Sequence, residues 1–185
     1  GNTFARRRDE HLFFAALARA FAWERSRGGG DSIAAFRAAA SGEAFIAGHP
    51  LGPRVACYRG EALDTLKRRG EKTSAAAQNL IEFWSVATRP MEVNGLGMTP
   101  EEAKAEVERI EKMFRLLDEL ASVYKRWKDL VTSYSVRGRQ VHDVRLVALM
   151  LEHKIANILT FNGDDFTRYS EITVASPQSL AASNT

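Results

Sequence analysis

Four side chains that lie near the end of a predicted strand or the start of a predicted helix could hold a divalent cation and support phosphate chemistry. They are Glu82, Asp143, Asn162 and Asp165. Carboxylate and amide oxygens are the ligands that Mg²⁺ and Mn²⁺ prefer, and these ions usually keep several waters when bound. Such an ion binds phosphate oxygens, generates hydroxide from water and stabilises the leaving oxygen of a phosphodiester. The residue types therefore indicate metal-assisted hydrolysis, provided that the fold brings the four side chains together.

The elements predicted around Asp143 would carry it to an edge of a sheet. A helix is predicted to begin at this residue, because apolar side chains recur after it at positions i, i+3, i+4 and i+7. Residues 155–161 are rich in Ile, Leu, Thr and Phe, which predicts a buried strand. Residues 162–165 form a turn by composition. This helix–strand–turn unit places acidic or amide side chains at both of its ends.

Glu82 belongs to a second unit of the same kind. Residues 73–77 predict a short strand, and residues 78–88 predict a helix with a buried apolar stripe. Ligands of an open parallel sheet collect outside the carboxyl ends of its strands, so the four polar residues are expected at one such edge. Each acid also has a purely structural interpretation. Asp143 could be a helix cap, Asp165 a turn residue and Glu82 a solvated helix residue.

Helices and strands alternate along the chain, which predicts an α/β fold with a parallel sheet. Thr99 and Glu102 mark a strong helix start, because they supply an N-cap and a glutamate three residues later, with a proline between them. Apolar residues recur at helical spacing from there to Leu117. Residues 172–174 predict a last short strand.

Two predicted helices carry large apolar stripes. One stripe runs through residues 103–117 and includes Phe114, and the other runs through residues 123–131 and includes Trp127. Both look larger than one small sheet face would cover, and exposed apolar patches of that size mark interaction surfaces. Self-association or partner binding is therefore expected through these helices.

Composition and charge bound the remaining possibilities. The chain has 185 residues, a net charge of +3 and a single cysteine, which excludes an internal disulfide and fits a reducing compartment. No apolar run approaches a membrane span, so a cytoplasmic protein without a membrane partner is expected. Residues 1–27 alternate Arg with Ala and Phe, which predicts a basic amphipathic helix rather than a signal peptide. Residues 28–30 are three glycines and a candidate linker.

Three segments resemble conserved blocks of PIN-domain proteins. Residues 78–90, 141–148 and 158–166 are similar in order and separation to the second, third and fourth blocks of that family. The resemblance covers residues 49–177 and implies a PIN-like three-layer sandwich with a central parallel sheet. It leaves residues 1–48 as a divergent, partly helical or flexible N-terminal segment, and residues 178–185 as a C-terminal tail.

The resemblance also implies a function. PIN proteins are metal-dependent ribonucleases, often the toxin of a VapC-type toxin–antitoxin pair. Carried over by position, Glu82 and Asp143 match the family's metal-binding acids, Asn162 matches the fourth position, and Asp165 is the nearby acid of the same block. The resemblance thus implies a single-strand RNA endonuclease with Mg²⁺ or Mn²⁺, an RNA substrate, an antitoxin partner and a homodimer.

One departure from the family is large. The family opens with an apolar strand that ends in Asp-Thr-Asn or a similar triplet, and this chain has no recognisable counterpart. Asp31 or Glu43 could replace the missing acid, and residues 43–48 or the segment near Asp31 are expected to fill the gap in the sheet. The sequence therefore predicts a poor nuclease. The alternatives are an inactive PIN-fold module that binds RNA or a protein, and a helical interaction protein.

Overall fold

The computed structural model describes residues 11–14, 65–66, 68–93, 95–160, 162–177 and 179. The strands in these ranges are β1 (His11–Phe14), β2 (Lys72–Ala76), β3 (Arg115–Leu117), β4 (Asn157–Leu159) and β5 (Thr173–Ala175). The α-helices in them are α1 (Ala77–Ala87), α2 (Pro100–Met113), α3 (Ser122–Ser133) and α4 (Val141–Glu152). The predicted strands at 73–77, 155–161 and 172–174 are present, although β4 is shorter than predicted. No helix in these ranges is long and apolar enough to cross a membrane.

The five strands form one parallel sheet in the order β3-β2-β1-β4-β5. β1 pairs with β2 through Phe13 and Ser74, and with β4 through Phe13 and Ile158. The predicted parallel arrangement of β2 and β4 is confirmed, but the two strands are not neighbours. β1 lies between them.

The identity of the central strand corrects the prediction for the N-terminal region. Residues 11–14 are a strand and not part of an amphipathic helix. A strand inside a parallel sheet is buried on both faces and reads as a continuous apolar run, which Leu12, Phe13 and Phe14 provide. Periodicity cannot separate such a short run from a helical segment.

Two related expectations change with this strand. β1 fills the middle of the sheet, so the expectation that residues 43–48 or the segment near Asp31 would occupy it is wrong. The sheet also takes its central strand from before residue 49, where the PIN-like domain was predicted to begin. Asp31 and Glu43 lie outside the described residues.

The sheet separates two apolar layers, as a three-layer sandwich requires. On one face, side chains of α1 and α2 pack with Ala75 and Leu159. On the other face, side chains of α3 and α4 pack with Ala76 and Ile158. Adjacent residues of β2 and of β4 point to opposite layers because side chains alternate along a strand.

The start of α2 follows the prediction and its end does not. Thr99 Oγ1 accepts the backbone N–H of Glu102 at 3.2 Å, and a Glu102 carboxylate oxygen accepts the N–H of Thr99 at 3.0 Å. The helix ends at Met113, and Arg115–Leu117 pairs with β2 instead of continuing the helix. Pairing with the sheet edge overrides the helical spacing that had suggested a helix as far as Leu117.

The apolar stripes expected to form a self-association surface are covered by the chain itself. Phe114 and Leu117 are buried, as are Val123 and Leu130 of α3. Trp127 is half-buried and packs against the same layer as α4. The two stripes therefore offer no exposed surface for a dimer, and that reason for expecting one was wrong. Self-association stays a prediction, but not through these stripes.

Candidate functional site

The amide of Gln78 joins α1 to the beginning of α4. Its Nε2 donates to Glu82 Oε1 at 2.9 Å and to the backbone oxygen of His142 at 3.0 Å. His142 directly precedes Asp143, so the Glu82 carboxylate and the first turn of α4 share one hydrogen-bonding group. Both predicted acids therefore belong to the same region of the molecule, at the carboxyl edge of the sheet.

Arg145 orients the same amide from its other side. Its Nη1 donates to Gln78 Oε1 at 2.8 Å, and its Nη2 donates to Glu119 Oε2 at 2.8 Å. Glu119 lies between β3 and α3, so the chain of contacts connects three parts of the fold. The Arg145 and Glu119 side chains are 38% and 41% exposed, and an ion pair this exposed contributes little free energy by itself. Its effect is to orient the buried amide.

Asp143 lies in the first turn of α4, where the helix dipole favours a negative charge. Its side chain is only 5% exposed and takes part in polar or electrostatic contacts. The sequence had suggested an exposed carboxylate whose replacement by asparagine would cost little stability. The expected exposure is wrong. The effect of the substitution on stability stays a prediction, and a buried, partnered carboxylate favours a larger loss than the one expected.

Asn162 and Asp165 form a small polar unit after β4. Asn162 Nδ2 donates to Asp165 Oδ2 at 2.9 Å, and the Asn162 backbone N–H donates to Thr160 Oγ1 at 3.0 Å. Residues Gly163–Asp165 make a single 3₁₀ turn, in agreement with the predicted turn. Asn162 is exposed, so this unit faces solvent while Asp143 does not.

Tyr169 also belongs to this region, although no pattern in the sequence distinguishes it. Its side chain is 1% exposed, and its hydroxyl has no hydrogen-bond partner among the described residues. Burial raises the pKa of the Tyr169 phenol above its ordinary value; Arg168 lowers it, and the carboxylates of Asp143 and Asp165 raise it further. Both acids therefore act electrostatically on one buried hydroxyl.

Gln78 and Arg145 were not among the predicted site residues, for different reasons. Gln78 and Glu82 are four residues apart on a predicted helix, a spacing at which side chains meet, so their contact had a local signal. Arg145 is separated from Gln78 by 67 positions, and no local pattern predicts such a contact.

Four further side chains lie close to the start of α4. The side chain of His142 is exposed, and Gln78 contacts the backbone oxygen of this residue rather than its imidazole. Trp127 Nε1 donates to the Val141 oxygen at 2.9 Å, which gives the indole a structural role between α3 and α4. Arg137 and Arg139 are exposed on the loop before α4. Phe161 lies outside the described residues.

The described residues do not by themselves form a site that fits a firmly held divalent ion. Within them, no group of three or more His, Cys, Asp or Glu side chains could hold a metal. One oxygen of Glu82 already accepts from Gln78, and the carboxylate of Asp143 is buried. In the sequence, β1 is followed by Ala15 and Ala16, where the family places its first acid at the end of the first strand.

Comparison with known proteins gives a fold but no family. No protein-family model matches the chain, and no curated protein matches it. A chain in the crystal structure of VapBC2 from Rickettsia felis, bound to a DNA fragment from their promoter, is similar with a TM-score of 0.54 and 10% identity. The similarity covers 90% of this chain and 98% of that chain.

A chain in the structure of VapBC-1 from nontypeable Haemophilus influenzae is similar with a TM-score of 0.50 and 9% identity, covering 91% of this chain and 98% of that one. Identities this low show the fold alone. The predicted PIN-like α/β sandwich with a central parallel sheet is confirmed at that level.

Proposed function

We propose that the protein is a toxin-like, PIN-type RNA endonuclease whose metal-dependent catalysis is impaired. The observation that carries this proposal is the junction at the sheet edge, where Gln78 contacts Glu82 at 2.9 Å and the carbonyl before Asp143 at 3.0 Å. Two acids that the PIN resemblance assigns to metal binding thus come from distant parts of the chain to one region. The fold shared with chains of two VapBC structures supports the same function.

The groups that this chain offers to Mg²⁺ or Mn²⁺ are Glu82, Asp143 and Asn162. Asp165 supports the Asn162 amide through its hydrogen bond of 2.9 Å. The exposed Arg137 and Arg139 lie just before α4 and could contact RNA phosphates, since arginine fits phosphate geometry well. RNA binding therefore does not depend on a firmly held metal ion, whereas RNA cleavage does.

Impairment follows from the residues after the central strand. Ala15 and Ala16 carry no carboxylate, so the charge that retains a cation is one unit smaller than in the family pattern. Catalysis by a metal needs the ion held firmly enough to position both the attacking water and the leaving oxygen. A weakly held ion supports slow cleavage at best.

The test compares the wild-type protein with Ala15→Asp and with Ala15→Asn as the uncharged control. Cleavage of single-stranded RNA is measured with Mg²⁺, with Mn²⁺ and with EDTA. We expect Ala15→Asp to cut faster than wild type by roughly tenfold or more, which corresponds to about 1.4 kcal/mol of transition-state stabilisation. Ala15→Asn adds an oxygen ligand but no charge, so it should cut more slowly than Ala15→Asp, and EDTA should stop all cleavage.

Two results would contradict the proposal in different ways. Wild-type cleavage as fast as that of Ala15→Asp would mean that catalysis is intact and that another acid, such as Asp31 or Glu43, completes the site. If no variant cleaves or binds RNA, the RNA-directed function itself is wrong. Glu82→Gln, tested in parallel, identifies any cleavage by a contaminating nuclease, because such cleavage survives the substitution.

A second candidate function is a catalytically inactive PIN-fold module that binds RNA or a protein partner. It is favoured by the absence, within the described ranges, of a cluster of three potential metal-binding side chains. In this case RNA binding measured by fluorescence anisotropy should be equal in EDTA and in Mg²⁺, and Ala15→Asp should add no cleavage.

Partners and location complete the proposal. Both similar structures are named as VapBC assemblies, which supports an antitoxin-type protein as the partner of this chain. A homodimer and a cytoplasmic location are proposed with it. Co-purification with the product of an adjacent small gene, and sedimentation of the isolated chain, are the corresponding measurements.

A further inference from the structure

The Gln78 amide nitrogen occupies a point lined by oxygen atoms. It lies 2.9 Å from Glu82 Oε1 and 3.0 Å from the His142 backbone oxygen. Gln78 is 9% exposed, so little of the residue reaches solvent at this point. A carboxylate and a backbone carbonyl side by side are also the ligands that hard cations take in proteins.

The orientation of this amide follows from its partners. The guanidinium of Arg145 can only donate, and the His142 carbonyl can only accept. The oxygen of the Gln78 amide must therefore face Arg145, at 2.8 Å, and its nitrogen must face the other two groups. A reversed amide would place donor against donor and acceptor against acceptor. The donor and acceptor character of the neighbouring groups thus determines where the amide nitrogen lies.

We propose that the Gln78 amide takes the place of a divalent cation between α1 and α4. It joins the Glu82 carboxylate to the first turn of α4 as an ion would, but with hydrogen bonds. Arg145 supplies a positive charge behind the amide and is itself held by Glu119 at 2.8 Å. Gln78 and Arg145 are positioning residues in this arrangement, and the junction needs no metal ion to stay closed.

The proposal predicts what a single substitution would create. In Gln78→Glu, one new carboxylate oxygen would still accept from Arg145. The other would face Glu82 Oε1 and the His142 oxygen, so that three oxygens converge without a donor between them. Like charges at this distance repel unless a proton or a cation lies between them. The variant is therefore measured at mildly alkaline pH, where three oxygens without a proton suit Mg²⁺, Mn²⁺ or Ca²⁺.

The test is thermal unfolding of the full chain in EDTA and in excess MgCl₂, MnCl₂ or CaCl₂. The matched control is Asn157→Asp, which makes the same amide-to-carboxylate change at the amino end of β4, away from the junction. Wild type and Asn157→Asp should gain less than about 1 °C from the cation, because the ion of the proposed function is held only weakly. Gln78→Glu should melt lower in EDTA and rise by about 3–6 °C at a cation concentration roughly tenfold above its dissociation constant.

A second pair of variants covers the case in which Gln78→Glu does not fold. Glu82→Gln keeps an acceptor oxygen for Gln78 but removes the charge that a cation needs. We expect it to melt within about 1 °C of wild type, and Glu82→Leu, which removes the acceptor, to melt lower by about 2–4 °C. Equal losses in the two variants would overturn the inference, because they would show that the negative charge of Glu82, and not the acceptor oxygen that Gln78 needs, matters at this position.

Stabilisation of the wild-type protein by divalent cations that is as large as that of Gln78→Glu, and is lost in Glu82→Gln, would overturn the inference, because an ion would then already bind beside the amide. A Gln78→Glu protein that folds and shows no cation response would overturn it as well. None of these measurements uses RNA. The inference can therefore fail while the proposed function holds, and the reverse is also possible.

Discussion

The buried hydroxyl of Tyr169 leads to an unusual expectation, namely that its removal stabilises the protein. The side chain is 1% exposed, and its oxygen has no hydrogen-bond partner in the described part of the chain. Its ring meets the Tyr134 ring edge-on, with centroids 5.0 Å apart and an interplanar angle of 74°. Tyr169→Phe keeps this ring contact and removes only the oxygen.

The size of the effect follows from the cost of an unpaired polar group. A buried donor or acceptor without a partner costs about 1–3 kcal/mol, and the small void left by one oxygen offsets part of the gain. We expect Tyr169→Phe to raise the free energy of unfolding by about 1 kcal/mol at neutral pH. For a chain of this length, that is a rise of roughly 2–4 °C in melting temperature.

The pH dependence gives a second measure of the same group. Burial raises the pKa of the Tyr169 phenol in the folded protein, while the unfolded chain titrates near the ordinary value of about 10. Above that value the unfolded state releases a proton that the folded state keeps, so stability falls as pH rises toward the folded pKa. Tyr169→Phe should lack this loss, and its advantage over wild type should grow above about pH 10.

Urea unfolding followed by circular dichroism, at neutral pH and in steps toward pH 11, measures both effects. Tyr124→Phe is the matched control, because Tyr124 is 68% exposed and should change neither. A Tyr169→Phe protein less stable than wild type at neutral pH would refute the reasoning. It would mean that the hydroxyl has a stabilising partner, such as a buried water or a residue outside the described ranges.

Two further predictions concern local structure. Gly95→Ala should destabilise the protein by about 1–3 kcal/mol or more, since its Cβ would lie 1.8 Å from the Arg89 backbone oxygen. Gly70→Ala is the control and should cost only about 1 kcal/mol, because φ is +71° there but no atom lies within 4 Å of the added Cβ. Equal losses of the two variants in urea unfolding would contradict the steric argument. Thr99→Ala should cost about 1 kcal/mol because it removes the oxygen that accepts the Glu102 N–H, whereas Thr99→Ser should unfold like wild type; a large loss with serine would show that the methyl group, not the cap, matters.

Local signals in the sequence determined much of the fold. The helical spacing after Asp143, the apolar run that became β4 and the cap at Thr99 each depend on residues within a few positions of one another. Such patterns reflect the 3.6-residue and two-residue repeats of helices and strands, which any chain segment carries with it. The order of units then predicted a parallel sheet and placed Glu82, Asp143 and the turn after β4 at its carboxyl edge.

Tertiary structure alone decided which segment fills the centre of the sheet and how the acids are surrounded. The residue types of His11–Phe14 are compatible with either a helix or a strand, and only pairing with β2 and β4 on its two sides makes this segment β1. The burial of Asp143, the contact between Gln78 and Arg145 and the hydroxyl of Tyr169, which has no partner among the described residues, likewise arise where distant segments meet. Their energies depend on desolvation and on partners far away in sequence, and neither is encoded in the pattern of neighbouring residues.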